Sequence, residues 1–371
     1  MMAARCFPGF VLLLAGAIVC SAAETKPASA PAAERSLVVS GQGYFPVALR
    51  LRDGRIGVVL RGGAGHLGIR GRLDIVFSSD EGKTWTKPTV VNDSPVDDRN
   101  PAFGQAQDGT LVVGFWRTAR YDDQGRYNDR LVNKPVNTWV TRSTDGGRSW
   151  SEAAEIDTAE IGYGSPYGKI LTLPDGSMLM NLYGQGVRKP GSRADEAGEF
   201  SYLYRSTDQG KTWSRYACVG RKRFNETGLV RLASGPLREA SVMLAAMRTA
   251  DAQEVYVARS SDDGKTWGEP VKVAPPSVHP ADLCALPDGR VLLVTGYRVG
   301  PYGVRGLVSD TAGQFDWQQH FILVNDAASG DCGYPSSVLL KDGRVLTVYY
   351  ATGSRQHPQW RVHCGAVVYR P

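Results

Sequence analysis

Ser78-Ser79-Asp80-Glu81-Gly82-Lys83-Thr84-Trp85 decides how this chain is read, because the chain repeats it. Residues 143–150 (STDGGRSW), 206–213 (STDQGKTW) and 260–267 (SSDDGKTW) are further copies of one pattern, S-x-D-x-G-x-x-W. A worn fifth copy runs from Ser309-Asp310 through Gly313 to Trp317. The intact copies start 65, 63 and 54 residues apart. Each position has a local reason. The Asp side chain can accept from backbone N–H groups a few residues on and hold a tight turn. The Gly takes positive φ without a Cβ clash, and the Trp offers a large apolar face to bury beside the turn. Each copy follows an apolar run, as Leu73-Asp74-Ile75-Val76-Phe77 precedes the first. Each is therefore expected to join two strands, and its polar residues are structural rather than catalytic.

A second signal alternates with the first: an apolar run, an Asp-Gly pair, and another apolar run, the strongest short-range mark of a β-hairpin. Its copies centre on Asp53-Gly54, Asp108-Gly109, Asp175-Gly176, Asp288-Gly289 and Asp342-Gly343, with a looser one at Ser234-Gly235. Taken together the two signals define six units, each reading strand, D-G turn, strand, loop, strand, S-x-D-x-G-x-x-W turn, strand. Four antiparallel strands repeated at about 40–65 residues predict an all-β, six-bladed β-propeller over residues 36–371. The sixth unit stops short of a fourth strand, so the N-terminal strand Ser36-Leu37-Val38-Val39 is expected to close the ring and remove two exposed sheet edges.

The rest of the composition narrows the class. The 371 residues, 43 of them Gly, show short β-type runs and almost no long 3.6-residue periodicity. The net charge of +6 is spread along the chain, without a basic run interleaved with aromatics, so nucleic acid is not an expected partner. Residues 1–23 read as an export signal: Arg5, the apolar run 10–19 (FVLLLAGAIV), and the small residues Ser21-Ala22-Ala23 at the cleavage site. The run is too short for a membrane span; lipid attachment at Cys20 is the alternative reading of the same leader. Residues 24–35 form a Pro/Ala linker. Four cysteines then remain, Cys218, Cys284, Cys332 and Cys364, at spacings unlike a metal site. A Cys284–Cys332 bridge and buried free thiols both stay open. No cofactor is expected, and the chain is expected to act as a monomer; the acidic pair Asp97-Asp98 could recruit an ion.

The expected functional face follows from strand direction. The start of each first strand and the end of each second strand lie at one mouth of the channel, because the two strands are antiparallel. The starts carry Tyr44, Asp98, Asn100, Tyr163, Ser165, Glu226, His279 and Tyr334, and five of the six carry a nearby Pro, which suits a strand's first residue. The ends carry Arg61, Arg117, Arg248 and Arg298. A ring of guanidinium groups suits carboxylate or phosphate, each charge-assisted contact contributing roughly 1.5–3 kcal/mol.

With these residues in hand, the chain resembles the sialidase superfamily, whose Asp-box is the S-x-D-x-G-x-x-W turn and whose fold is a six-bladed propeller. The resemblance implies a tyrosine nucleophile activated by a glutamate. Gly333-Tyr334-Pro335-Ser336-Ser337 is similar to the segment bearing that tyrosine, and Asn225-Glu226-Thr227 to the one bearing the glutamate. Arg248 is similar to one member of the family's carboxylate-binding arginine triad, with Arg298 or Arg305 as another. Two places depart from the pattern. Where the family has its first triad arginine, this chain reads Tyr44-Phe45-Pro46, and the loop that would carry the acid/base aspartate, residues 61–72 (RGGAGHLGIRGR), has no carboxylate. Asp98 or Asp97, and His279 or Asp282, are the candidate acids in its place, with His66 as a stand-in within the loop. The implied activity is exo-cleavage of a terminal acidic sugar. A lyase on the same scaffold and a non-catalytic glycan-binding propeller are the alternatives.

Overall fold

The computed structural model describes residues 32–185, 198–221, 223–232 and 241–371. The leader and lipid-attachment readings, most of the linker and the Ser234-Gly235 turn lie outside the described residues. The fold is all-β, with only short 3-10 turns at Ala159–Ile161 and Trp317–Gln319 as helical elements among the described residues.

The strands assemble into small antiparallel sheets arranged like a propeller. The first sheet is β2 (Tyr44–Arg50), β3 (Ile56–Gly62), β4 (Arg72–Ser78) and β5 (Thr89–Asn92), in chain order. Two more run the same way: β14 (Phe224–Arg231) to β17 (Val271–Ala274), and β18 (Ala281–Ala285) to β21 (Phe321–Val324). The last has the order β1-β24-β23-β22, where β1 is Ala33–Ser40, β22 Cys332–Leu339, β23 Val345–Ala351 and β24 His363–Tyr369. The N-terminal strand thus joins the C-terminal sheet, with Ala33 opposite Tyr369 and Ser40 opposite His363. It starts three residues before the expected Ser36.

The expectation of six separate blades is corrected in one respect: four four-stranded sheets stand alone, and the other eight strands form one sheet. Its strands are β6 (Asp97–Gln105), β7 (Leu111–Thr118), β8 (Val136–Ser143), β9 (Ala154–Ile156), β10 (Ser165–Thr172), β11 (Met178–Gln185), β12 (Glu199–Ser206) and β13 (Ser214–Gly220), in the order β13-β12-β11-β10-β6-β7-β8-β9. Its halves are antiparallel, and they join where β10 (Ser165–Thr172) runs parallel to β6, Gly168 opposite Ala102 and Lys169 opposite Phe103.

Apolar residues bind each four-strand group to the next. Val59, Ile75 and Phe77 of the first sheet bury against Phe103, Val113 and Phe115. Val38, Ala366 and Val348 of the last sheet bury against Ala48, Val58 and Val76 of the first. The repeated turns add a latch. In the first, the Ser78 hydroxyl accepts from the Gly82 N–H at 2.8 Å, and Asp80 accepts from the Thr84 N–H at 2.9 Å and its hydroxyl at 2.6 Å. The turns around Asp145, Asp208 and Asp262 repeat these bonds. Glycine is required there for space as well as for φ. A Cβ on Gly147 (φ 89°) would come within 2.6 Å of the Phe77 ring, and one on Gly82 within 2.0 Å of Leu346. Each turn therefore presses into the preceding four-strand group.

The four cysteines are free thiols, three of them buried, so the Cys284–Cys332 bridge does not form.

Candidate active site

The first strands converge on one aromatic cluster: Tyr44, Phe45, Tyr167, Tyr334 and Tyr350, with Tyr183 packed against it. Several of them break register there. Pairing shifts between Tyr44 and Val47 on β2, between Arg99 and Ala102 on β6, and between Gly333 and Ser336 on β22. Phe45, Asn100 and Tyr334, each preceding a proline, take positive φ of 53°, 49° and 48°. A β-bulge bends the strand and re-aims a side chain, and positive φ in a bulky residue stores strain that gathers at functional sites. The prolines thus mark bulges inside these strands rather than the strands' first residues.

Tyr334 is 8% exposed and its hydroxyl donates to Glu226 Oε1, while the other oxygen of that carboxylate accepts from Arg248 Nη1 at 2.7 Å. Burial drives the Tyr334 phenol well above the usual tyrosine range, and the neighbouring Glu226 charge pushes the same way; Arg248 and Arg298 only partly oppose it. Burial also opposes the charge on Arg248, but Glu226, Tyr334 and Tyr183 together outweigh it and hold the guanidinium protonated. Arg298 lies with its guanidinium carbon 5.6 Å from the Tyr334 ring centroid, donates Nε to the Cys332 carbonyl at 3.0 Å, and leaves Nη2 without a hydrogen-bond partner among the described residues. A phenol, its proton acceptor and two cations thus meet in one place.

The other expected arginines are engaged elsewhere. Arg61 is fully buried, 2.6 Å from Asp97 Oδ1, and donates to the Gly65 and Gly68 carbonyls. It organises the β3–β4 loop instead of presenting a free guanidinium. Arg117 donates to Asp98 Oδ1 at 2.9 Å and stacks 4.2 Å over Trp139. Arg305 spends its donors on the Val304, Val324 and Pro301 carbonyls and lies 4.1 Å over Tyr297.

Two expected acids do not fit that role. Asp98 is fully buried, and both its oxygens are engaged by Asn92, Ser94 and Arg117. His279 is fully buried, bonded through Nε2 to Gln253 at 3.0 Å; burial, with Arg248 and Arg298 nearby, pushes its pKa down to about 2, so it is neutral at working pH. Of their companions, Asp97 is held by Arg61 and Tyr121, and Asp282 by Lys169 at 2.6 Å and the Ser337 N–H at 2.7 Å. Asn100 donates to Ser165 and Tyr183, both at 3.2 Å, and Tyr44 packs in the aromatic cluster. His66 is 38% exposed and bonds through Nδ1 to Asp331 at 2.8 Å, and Asp331 also accepts from the Tyr350 hydroxyl at 2.7 Å.

Three residues of this neighbourhood were not anticipated. Arg99 lies 5.8 Å from the Phe45 ring centroid and 5.3 Å from that of Trp116. Asp331 sits three residues before Tyr334, where proximity in sequence was the available signal. Glu199 accepts from Asn225 at 2.7 Å and borders a 670 Å³ cavity lined by Trp116, Tyr163 and Arg120; burial and Glu226 raise its pKa. A cavity of about 900 Å³ lies at the other end of the first strands, lined by Leu49, Leu171, Leu229, Leu283 and Leu339 with basic residues around them. Its lining holds no carboxylate or phenol, so size alone does not mark the chemistry. No group of three or more His, Cys, Asp or Glu arranged to hold a metal occurs among the described residues.

Small antiparallel sheets around a phenol–carboxylate–arginine cluster define an all-β, propeller-like protein. The chain belongs to the BNR repeat-like domain family, whose model matches residues 73–347, and so to the sialidase superfamily. It is 31% identical over 221 residues to a sialidase of Micromonospora viridifaciens, spanning 53% of this chain and about a third (32%) of that longer relative. A protein of unknown function from Dyadobacter fermentans is similar in structure, with TM-score 0.75, 25% identity, and coverage of 91% of this chain and 98% of its own. A Hadza microbial sialidase shares the fold at TM-score 0.67 and 17% identity, covering 89% of this chain and 66% of its own.

Proposed function

We propose that this protein is an exported, exo-acting glycoside hydrolase that removes a terminal acidic sugar, with Tyr334 as nucleophile and Glu226 as its base. The observation that carries the reading is the chain of contacts from the Tyr334 hydroxyl to Glu226 and from Glu226 to Arg248, with Arg298 over the phenol ring. A free tyrosine, of pKa near 10, is about one part in a thousand phenolate at pH 7, so forming the anion in advance costs about 4 kcal/mol. Burial makes that cost larger here. A carboxylate that takes the proton as the phenol attacks avoids most of it. The phenol oxygen bonds to the anomeric carbon as the glycosidic C–O bond breaks and leaves its electron pair on the departing oxygen, the phenol proton passes to Glu226, and Arg248 holds the Glu226 side chain in place. Arg298, whose Nη2 has no hydrogen-bond partner among the described residues, is the donor best suited to the sugar's carboxylate.

On this reading the eight-stranded sheet counts as two blades, giving six around a closed ring; the inter-sheet clusters and the pairing of β1 with β24 support it. The chain acts as a monomer and leaves the cell by way of residues 1–23.

The test is turnover of an aryl glycoside panel of sialosides, uronides and arabinosides by the wild type, Tyr334→Phe and Glu226→Gln. Hydrolysis by the wild type and its loss in both folded variants is expected. A wild type inert on all of them, yet retained by a glycan array, would make the protein a binding propeller. A product absorbing near 235 nm would make it a lyase.

A further inference from the structure

We propose that His66, held by Asp331, is the acid/base group of this site, in a loop that has no carboxylate. The proposal rests on the hydrolase reading above. A glycosidase that uses a covalent intermediate needs a second group, across the anomeric carbon from the nucleophile, to protonate the leaving oxygen. Asp97, Asp98, Asp282 and His279 are buried and committed to other partners. Glu199 shares Asn225 with the Glu226 segment, which puts it on the base's side of Tyr334.

His66 approaches the cluster from the other flank. Its ring centroid is 5.0 Å from that of Phe45, which is 4.8 Å from that of Tyr334. The imidazole also meets the edges of Tyr44 at 5.9 Å and Tyr350 at 6.4 Å. Nδ1 faces the Asp331 carboxylate, so Nε2 is left for a substrate oxygen. Asp331 is held below the usual carboxylate range: burial opposes this, but the hydrogen bonds from His66 and Tyr350, with the charge of Arg298, outweigh it. Its carboxylate fixes the Nδ1 side of the imidazole and so the direction in which Nε2 points. The titratable and charged groups around His66 are Asp331, Tyr44, Tyr350 and, beyond them, Arg298 and Arg61.

The loop that carries His66 is built to keep it there. Buried Arg61 donates to the carbonyls of Gly65 and Gly68, the Tyr121 hydroxyl accepts from the Gly68 N–H at 2.8 Å, and the Gly71 carbonyl accepts from the Asp98 N–H at 2.9 Å. Arg61 and Asp97 thus serve the reaction at one remove, by fixing the loop.

Tyr334 Oη bonds to the anomeric carbon and passes its proton to Glu226. The glycosidic C–O bond breaks, its electron pair stays on the leaving oxygen, and that oxygen takes the proton from His66 Nε2. Water then attacks the same carbon and gives its proton to His66. The tyrosyl C–O bond breaks, and the phenolate recovers its proton from Glu226.

The experiment compares His66→Gln, Asp331→Asn and Glu199→Gln on two substrates of one sugar, with a 2,4-dinitrophenyl or an alkyl leaving group. Protonation matters little for the first and greatly for the second. In kcat/KM, which reports the step that expels the leaving group, His66→Gln is expected to lose about 10²–10⁴-fold on the alkyl glycoside and under about tenfold on the dinitrophenyl one. Asp331→Asn, at a positioning residue, should give a smaller loss that keeps the same dependence on the leaving group, which a merely structural defect would not. Equal losses on both substrates with His66→Gln, no loss at all, or leaving-group dependence in Glu199→Gln instead, overturns the assignment and leaves the hydrolase standing. A wild type inert on every glycoside overturns both. Circular dichroism of His66→Gln guards against a folding defect, which its exposed position makes a small risk.

Discussion

Replacing Glu226 by Gln removes one buried charge and should be felt twice, in stability and in turnover. The Glu226 side chain is 3% exposed and bonds Arg248, itself 18% exposed, at 2.7 Å. Breaking a buried pair outright costs about 3–5 kcal/mol, because the surviving charge is stranded. The amide keeps an oxygen for one of its two partners, so about 2 kcal/mol is expected. At about 2–4 °C per kcal/mol, the melting temperature should fall by about 4–8 °C. Turnover should fall about 10²–10⁴-fold, the usual contribution of a positioned base. Tyr334→Phe leaves the Glu226–Arg248 pair in place, so it should melt near the wild type yet lose turnover to a similar degree. The double variant should be little slower than either single one, since residues that act as a unit are not additive. Thermal melts and aryl-glycoside kinetics on the four proteins of this cycle measure both effects. If Glu226→Gln melts with the wild type, and the turnover losses multiply as for independent sites, the relay does not operate and the mechanism fails.

Further predictions follow from the same structure. Arg298→Ala should raise KM for an acidic sugar about 10- to 100-fold, the equivalent of one charge-assisted contact, and change that for the sugar's methyl ester much less; equal changes for both would remove Arg298 from carboxylate binding. Hydrogen bonds to Thr84 hold the Asp80 carboxyl down at about 2. Its contribution is therefore complete above the ordinary Asp value near 4 and lost as pH falls toward 2. Asp80→Asn should melt below the wild type at pH 7 and converge with it by pH 2; a gap that persists there would point to something other than the charge. Gly147→Ala should cost about 2–4 kcal/mol, left-handed backbone plus contact with Phe77. Gly109→Ala, with φ 95° and open space, should cost only about 1 kcal/mol. Equal melting temperatures for the two glycine variants would mean that the repeated turn does not press on the preceding sheet.

Much of the fold could be read directly because its signals are local. The Asp of each S-x-D-x-G-x-x-W turn bonds within its own octapeptide, and an Asp-Gly pair sets its hairpin with no help from afar. The meeting of Tyr334, Glu226, Arg248 and Arg298 was legible because antiparallel strands carry starts and ends to one mouth. The fate of Arg61, Arg117 and Arg305 was not, since an apolar strand ending in Arg reads alike whether the guanidinium faces a substrate, a carboxylate or a carbonyl. For Arg117 a signal existed: counting back from the Asp108-Gly109 turn brings Asp98 opposite it, across one bulge. Arg99 meets Phe45 of another sheet, beyond the reach of any local pattern; Asp331 lies close to Tyr334 in sequence, but its bond to His66 comes from another sheet's loop. The parallel join of β6 and β10 is likewise a matter of how two groups of strands settle together.

The pairing of β1 with β24 also sets how the molecule bears load. Ala33 and Tyr369 stand side by side at one end of an antiparallel ladder, so a pull that separates them breaks its hydrogen bonds one after another. Such peeling resists less force than shearing all of them together. Strain arriving at the residue-33 end would therefore strip the edge strand first. Tyr334, on the opposite strand of that same sheet, would be disturbed only after two further ladders had given way.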